Sequence, residues 1–260
     1  MTTERTTAER TTTGPVLETF ALTRRFGGLA AVDQVAIELN ACELHAVIGP
    51  NGAGKSTLIN LLSGDLKPTS GRIRFAGREI GGLPAHRIAG LGIGRSYQKT
   101  NILTELTVLE NVRLAAQARY GEARGLLRPA DRESALIDHA RQALDRVGLR
   151  AEARSAGSLS HGGQRQLEIA MTLATDASVL LLDEPLAGMG PEETQHLTAL
   201  LRQLARDHAV LLVEHDMDVV FAVADRLTVM VNGKVLASGA PEAIRRNAAV
   251  REAYLGEAVA

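Results

Sequence analysis

The chain has 260 residues, 45% hydrophobic and 23% charged, which is enough to bury a core as one large domain or two intimate lobes. Its net charge of −1 gives no overall field that favours nucleic acid, so no nucleic-acid partner is expected. The single cysteine, Cys42, excludes an intrachain disulfide, and no apolar run approaches the length of a membrane span. Residues 1–14 are polar and Thr-rich, and we expect a disordered tail there.

The first predicted elements are strands. The segments Val16–Ala21 and Val32–Leu39 are typical of strands, joined by a loop that contains Arg24 to Gly28. The mostly apolar run Leu44–Ile48 follows as a buried strand, and a glycine-rich turn and a helical pattern come directly after it.

This glycine-rich turn predicts a phosphate-binding loop. Backbone N–H groups of such a turn, together with a helix N-terminus, can surround a triphosphate. Lys55 would bridge the terminal phosphates and the Ser56 hydroxyl would bind Mg²⁺. The chain is therefore expected to bind a nucleoside triphosphate. The predicted binding residues are Gly49, Pro50, Asn51, Gly52, Ala53, Gly54, Lys55, Ser56 and Thr57.

Further along, strand and helix patterns alternate, which predicts an α/β core. The predicted strands are Gly71–Phe75, Ile93–Tyr97 (followed by polar Gln98), Val179–Leu182, Val210–Val213 and Leu227–Val231. The predicted helices are Val108–Ala118, Arg132–Val147, Ser160–Ala174 and Pro191–Asp207. The helical block at about 99–160 is interpreted as an inserted lobe.

The strand that ends in Asp183 and Glu184 is the second chemical signal. A buried strand would hold Asp183 where it can reach Mg²⁺, and Glu184 could polarise the attacking water. Strands that end in solvated acids are common, so this pattern gains its meaning from the phosphate loop before it.

The segment Leu159 to Gln164, Leu-Ser-His-Gly-Gly-Gln, resembles the signature motif of ATP-binding cassette (ABC) ATPases. The resemblance covers roughly residues 16–256. It implies that Ser160 and Gly162 bind the γ-phosphate held by an opposite subunit, and that His215 contacts the γ-phosphate within the same subunit. It also implies that Gln98 senses Mg²⁺ and the γ-phosphate, and that Phe26 stacks on adenine. Taken alone, Ser160 could be an ordinary helix cap and Phe26 a core residue.

The resemblance also implies a fold: a P-loop NTPase core (a RecA-like mixed sheet with flanking helices), an antiparallel β subdomain and an inserted helical signature lobe. The expected division is a single ABC ATPase domain at 15–256 and a tail at 257–260. Two positions depart from the family. Gly163 replaces the usual Gln or Glu, and Gly190 replaces an Asp that communicates across the dimer in many members.

Within the family, the chain resembles the larger ATPase of branched-chain (hydrophobic) amino-acid importers. The segments that carry this resemblance are Phe26–Val32, Gly94–Gln98, Thr107–Val112, Arg165–Ala170 and the ending Ala253–Glu257. The alternatives are a urea or short-amide importer ATPase, a lipopolysaccharide-export ATPase, and a soluble ABC switch protein that does not transport.

The family resemblance has consequences for partners and location. The expected ligands are ATP and Mg²⁺. The expected partners are a second ABC ATPase subunit (a paralogue or a second copy), transmembrane permease subunits and, indirectly, an extracytoplasmic substrate-binding protein. The chain would lie at the cytoplasmic face of the inner or plasma membrane, held there by the permease.

Overall fold

The computed structural model describes residues 14–97, 101–120 and 130–255. The strands are β1 Leu17–Phe26, β2 Leu29–Val35, β3 Glu38–Leu39, β4 Leu44–Ile48, β5 Ser70–Phe75, β6 Arg78–Glu79, β7 Ile93–Arg95, β8 Val179–Asp183, β9 Ala209–Val213, β10 Arg226–Val231 and β11 Lys234–Gly239. The helices are α1 Lys55–Leu62, α2 Ala85–Leu91, α3 Val108–Tyr120, α4 Ala130–Arg146, α5 His161–Leu173, α6 Pro191–Leu204, α7 Met217–Val223, α8 Pro241–Arg246 and α9 Ala248–Leu255. None of the helices in these ranges is long and apolar enough to cross a membrane.

Two sheets form the core. The larger is a mixed sheet in the order β11-β10-β4-β9-β8-β7, in which β10, β4, β9, β8 and β7 run parallel and β11 is antiparallel to β10. Strands β4, β8 and β9 are buried along their whole length, as expected for continuous apolar strands covered on both faces. The smaller sheet is antiparallel, in the order β2-β1-β5-β6 with β3 beside β1. This is the predicted α/β architecture with an antiparallel β subdomain.

A helical region made of α3, α4 and the first part of α5 lies between β7 and β8 in the chain. Helix α3 begins with a capping box: the Thr107 N–H and the Glu110 N–H each bond to the other residue's side chain. The fully buried Asn111 then fixes the segment before the helix, because its side chain bonds to both backbone groups of Leu103. These helices share one hydrophobic core with the mixed sheet.

The first hairpin differs from the sequence expectation. The predicted loop Arg24 to Gly28 was wrong for its first half, because β1 continues to Phe26 and turns only at Gly27 and Gly28. Gly27 adopts φ +58°, which lets two residues close the turn and pair Phe26 with Leu29.

The predicted strand Val32–Leu39 is likewise divided into β2 and β3. The Thr19 hydroxyl lies between them, donating to the Val35 carbonyl oxygen and accepting from the Ile37 N–H. This side chain replaces regular strand pairing at the break.

Candidate functional site

The turn between β4 and α1 has the backbone that the sequence predicts. Gly54 has φ +101°, and a Cβ there would lie 2.2 Å from the Ala31 carbonyl oxygen. A Cβ on Gly49 would lie 2.2 Å from the Met230 carbonyl oxygen. Only glycine fits at either position, so the loop can pack closely against β2 and β10.

The remaining loop residues form the turn itself. The Ala53 N–H donates to the Pro50 carbonyl oxygen at 3.1 Å, with Asn51 and Gly52 exposed between them. Ser56 is exposed and Thr57 half-buried in the first turn of α1. Because glycine at position 54 carries no capping side chain, the first N–H groups of α1 are suited to bind an anion.

Lys55 lies inside this loop. Its ammonium donates to the Gly49 carbonyl oxygen at 2.6 Å and to the Pro50 carbonyl oxygen at 3.1 Å. Burial lowers the pKa of Lys55, and the nearby Glu184 and Asp183 carboxylates oppose that shift. The cation is therefore held over the loop, beside the two acids that the sequence singled out.

The edge where the parallel strands end collects the other predicted residues. Asp183 is the last residue of β8 and pairs in register with Val213 of β9, which in turn pairs with Val47 of β4. Since the carboxyl ends of neighbouring parallel strands meet at one edge, the phosphate loop, Glu184 and His215 emerge side by side. Sheet order thus brings together residues as distant in the sequence as Gly49 and His215.

Asp183 is 2% exposed, and its Oδ1 has no hydrogen-bond partner among the described residues. Its Oδ2 lies 3.6 Å from Arg95 Nη2. Burial raises the pKa of Asp183, while the Arg95 guanidinium lowers it. A buried, unsatisfied carboxylate oxygen next to a triphosphate loop is the environment that a divalent cation would complete.

Glu184 is half-buried and takes a left-handed backbone conformation with φ +48°, uncommon for a residue other than glycine. Its N–H donates to the Val213 carbonyl oxygen at 2.9 Å. The strain is typical of functional sites, where the surrounding structure holds a residue in an unfavourable conformation.

His215 follows β9 and its side chain is 61% exposed. Its Nδ1 lies 3.7 Å from Oε2 of the buried Glu214. Burial raises the pKa of Glu214, and hydrogen bonds from the Leu186 and His215 N–H groups lower it. Asp216 then caps α7, accepting from the Asp218 N–H at 3.0 Å. Sequence reasoning identified His215 but assigned no role to Glu214.

The signature residues lie at the start of α5. Ser160 is the N-cap, and its hydroxyl accepts from the Gly163 N–H at 3.2 Å. The Gly162 N–H donates to Glu193 Oε1 at 3.2 Å, and Glu193 also accepts from the Ser160 hydroxyl. These residues line a cavity of about 550 Å³ to which the phosphate loop does not contribute.

Glu193 was missed by sequence reasoning. It lies in the first turn of α6, and only the packing of α6 against α5 brings its carboxylate to the signature residues. The departure at Gly190 lies just before it, at the N-cap of α6. A Cβ on Gly190 would meet no described atom within 4 Å, so space does not require glycine there.

Of the two remaining predicted residues, the structure describes Phe26 and not Gln98. Phe26 ends β1, is 45% exposed, and has the Arg24 guanidinium 4.6 Å from its ring centre. Gln98 lies outside the described residues. Tyr97, just before it, donates its N–H to Glu168 Oε1 at 2.9 Å and accepts from Arg165 at its carbonyl oxygen. The segment leading to Gln98 is thus tied to α5, the helix that the signature begins.

A comparison with protein families matches residues 32–187 to the ABC transporter family and residues 234–260 to a branched-chain amino acid ATP-binding cassette transporter family. The chain is 45% identical to the high-affinity branched-chain amino acid transport ATP-binding protein LivG of Salmonella typhimurium, with 94% of this chain and 99% of LivG covered. It is 46% identical to the corresponding protein BraF of Pseudomonas aeruginosa, with the same coverage.

Solved structures of ABC transporter cassettes share the fold of this chain. The chain resembles a nucleotide-free ATP-binding cassette from an ABC transporter, with a TM-score of 0.80 and 30% identity over 92% of this chain and 98% of the other. It also resembles the ADP conformation of an ABC transporter cassette, with a TM-score of 0.80 and 29% identity over 93% and 99% of the two chains. The predicted fold class is confirmed. With the phosphate loop, the acid pair and the signature in place, the chain belongs to the ABC transporter family as one of its ATP-binding cassettes.

Proposed function

We propose that the chain is the ATP-hydrolysing subunit of a branched-chain amino-acid importer. The observation that carries the hydrolytic part is the convergence of Lys55, Asp183, Glu184 and His215 at one edge of the mixed sheet. The cargo class is supported by the LivG and BraF relatives and by the match at residues 234–260.

ATP would bind with its phosphates on the loop from Gly49 to Gly54 and on the first turn of α1. Lys55 would exchange its bonds to two loop carbonyl oxygens for bonds to phosphate oxygens. Phe26, exposed at the end of β1, is suited to stack on the adenine ring. These contacts bind and orient the nucleotide but do not by themselves break a bond.

The residues present fit Mg²⁺. Asp183 supplies a buried carboxylate oxygen without a partner in the described part of the chain, and the exposed Ser56 supplies a hydroxyl. Mg²⁺ is usually held by one or two protein oxygens together with substrate phosphates and waters. Ser56 and Asp183 would therefore hold it, with Gln98 as the further ligand that the family resemblance implies. When bound, it neutralises charge on the phosphates.

Glu184 is the proposed general base. Its left-handed backbone makes the chain turn after the buried Asp183, and Glu184 itself is only half-buried. The two adjacent carboxylates can therefore act on different groups, Asp183 on the cation and Glu184 on the attacking water. Glu184 would take the proton of the attacking water, and the exposed His215 would contact the γ-phosphate. Positioning of this kind contributes about 10²–10⁴-fold to a rate.

The signature residues would act on a different nucleotide from the one bound by the same chain's loop. Their cavity is separate from the phosphate loop, which supports a head-to-tail pair in which Ser160 and Gly162 of one cassette contact the nucleotide of the other. The second cassette is proposed to be a paralogue in the complete importer and a second copy of this chain when the chain is alone. ATP would shift the pair towards its closed state only by its higher affinity for that state.

Coupling to transport would use a groove of about 330 Å³ beside the segment leading to Gln98. Arg95, Tyr97 and Met171 line it, and it lies where α5 meets β7. A cytoplasmic helix of a permease would dock there, which would hold the chain at the cytoplasmic face of the membrane. The substrate-binding protein would act only through the permease.

Transport in proteoliposomes tests the proposal. The chain is co-purified with its permease subunits and second cassette, and leucine uptake is measured with and without ATP. We expect ATP-dependent leucine uptake that Lys55→Ala abolishes, with ATP affinity reduced about 10- to 100-fold by the loss of charged hydrogen bonds. The exposed Lys67→Ala is the matched control and should leave uptake unchanged. ATP-dependent uptake of urea without uptake of leucine would overturn the assignment of cargo.

A further inference from the structure

Glu214 is a fully buried carboxyl group to which the proposed mechanism gives no task. It follows β9 directly, its exposed fraction is 0%, and it immediately precedes His215 in the chain. Burying a carboxylate is costly unless its oxygens are hydrogen-bonded, so its contacts are informative.

The two oxygens of Glu214 bind two different segments. Oε1 accepts from the Leu186 N–H at 2.9 Å, in the segment after β8. Oε2 accepts from the His215 N–H at 3.2 Å and lies 3.7 Å from the His215 imidazole Nδ1. One side chain thus joins Leu186, in the segment after Glu184, to the backbone of His215, the second residue after β9.

The segment that Glu214 anchors is strained. Glu184 has φ +48°, and its N–H bonds to the Val213 carbonyl oxygen at 2.9 Å. Two residues later, the Leu186 N–H bonds to Glu214. The turn is therefore fixed to the end of β9 at two successive points, one of them a backbone oxygen and the other this side chain.

Position 214 requires a carboxylate for a geometric reason. Each oxygen faces an N–H donor, and a glutamine amide has only one oxygen to accept with. Its NH₂ group would face the second N–H and leave a buried donor without a partner. The free-energy penalty of such a buried, unsatisfied donor is larger than the net stabilisation from a typical hydrogen bond. Glutamine is thus a poor replacement although its size is nearly the same.

We propose that Glu214 is a positioning residue that fixes the segment Glu184–Met189 relative to His215, so that the base and the γ-phosphate contact act together. The inference rests on the proposed hydrolytic function. The same tie connects His215 to the segment that precedes Gly190, where the family's usual Asp is missing. A contact between His215 and a γ-phosphate would therefore affect, through Glu214 and Leu186, the position of the segment that faces the neighbouring cassette.

The test compares Glu214→Gln with Glu43→Gln. Glu43 serves as the control because its carboxylate also accepts a backbone N–H, from Asn40 at 2.7 Å, but it is only half-buried and lies at the opposite end of β4. We measure kcat and KM for ATP and the binding of a fluorescent ATP analogue. We expect Glu214→Gln to lower kcat about 10- to 100-fold with analogue affinity unchanged within about twofold, and Glu43→Gln to change neither.

Amide hydrogen exchange provides a readout that does not depend on turnover. In the unmodified chain the Leu186 and His215 amides should be protected, and in Glu214→Gln at least one of them should exchange at least tenfold faster while β8 and β9 stay protected. If Glu214→Gln does not fold, rapid exchange at Leu186 in the unmodified chain would still overturn the inference. Unchanged kcat in a folded Glu214→Gln would overturn it as well. If the unmodified chain does not hydrolyse ATP but the amides show the predicted exchange pattern, the proposed function is contradicted. The hydrogen bonds of Glu214 to the Leu186 and His215 N–H groups would still be supported.

Discussion

Asp183 and Glu184 show how one backbone torsion separates two neighbouring carboxylates. Asp183 continues the buried strand β8, whereas Glu184 turns into the left-handed region and is half-buried at the edge of the sheet. In the proposed mechanism the first binds a cation and the second activates water. The sequence predicts both residues because an apolar strand followed by two acids is a local pattern. It does not predict the torsion, which depends on bonds to β9.

Glu193 contacts the signature residues that are proposed to act across the pair of cassettes. Its carboxylate accepts from the Ser160 hydroxyl and the Gly162 N–H, the donors that the family uses for the opposite γ-phosphate. The hydrogen bond from Ser160, followed by that from Gly162, lowers the pKa of Glu193, so the group is ionised at neutral pH. A phosphate that reaches these donors must displace a negative charge.

Replacing Glu193 with glutamine should therefore ease ATP-driven dimerisation. In a Glu184→Gln background, which slows turnover, we expect the ATP concentration at half-maximal dimer formation to fall roughly threefold to tenfold. Light scattering across an ATP titration measures it. Glu192→Gln, an exposed acid in the same helical turn, is the control and should change the midpoint little. A midpoint that rises in Glu193→Gln would show that the carboxylate supports the closed pair instead.

No local pattern could have identified Glu193 or Glu214. Glu193 meets the signature residues across 31 positions of sequence, and Glu214 meets Leu186 across 28. Acids in the first turn of a helix or at the end of a strand are ordinary features of exposed surface. Their contacts follow from how α6 packs on α5 and how β9 pairs with β8, which a single sequence does not specify.

At the scale of elements, a buried histidine joins the two sheets. His45 on β4 bonds through Nδ1 to the Glu38 carbonyl oxygen on β3 at 2.9 Å. Its Nε2 lies 2.7 Å from the Thr228 hydroxyl on β10, which in turn bonds to Ser238 on β11. His45 is 1% exposed, and burial lowers its pKa to about 4.

The low pKa of His45 makes stability depend on pH. Between pH 6.5 and about 4 the unfolded chain binds a proton that the folded chain does not, so the free energy of unfolding falls as the pH is lowered through this range. His45 alone should contribute a loss of about 3 kcal/mol. Above pH 6.5 the ring is neutral in both the folded and the unfolded chain, so His45 no longer makes the free energy of unfolding depend on pH.

Urea unfolding at several pH values between 4.5 and 7 measures this contribution. His45→Gln should show a shallower fall in the free energy of unfolding than the unmodified chain, because residue 45 no longer titrates. His196→Gln, which removes an exposed histidine from α6, should follow the unmodified chain. Equal slopes for all three proteins would contradict the account of His45.

The elements themselves were predictable to different degrees. The continuous apolar runs of β4, β8 and β9 made these strands clear, and the capping box at Thr107 marks the start of α3 where it was expected. The first hairpin was not predicted correctly, because the polar run that begins with Arg24 looks like a loop but belongs to β1, where Arg24 is half-buried and Arg25 and Phe26 are exposed. Strand β3 was merged with β2, since the Thr19 side chain that separates them comes from another strand.

At the scale of the whole molecule, the chain carries two half-sites that belong to different nucleotides in the proposed pair. One edge of the mixed sheet presents the phosphate loop, the acid pair and His215. The cavity with Ser160, Gly162 and Glu193 is formed by other elements and does not include the loop. The family resemblance predicted that the two half-sites contact different nucleotides, whereas the residues alone predicted only the phosphate loop and the acids. In the proposed pair, each site would be completed by the second cassette.

The most direct test measures the mass of Glu184→Gln protein by light scattering with and without ATP and Mg²⁺, together with phosphate release by the unmodified chain. We predict that ATP doubles the mass of Glu184→Gln, and that its phosphate release is about 10²–10⁴-fold slower than that of the unmodified chain. Lys55→Ala, which weakens ATP binding, should remain monomeric. A Glu184→Gln protein that binds ATP, stays monomeric and releases phosphate at the rate of the unmodified chain would contradict both the nucleotide sandwich and the role of Glu184.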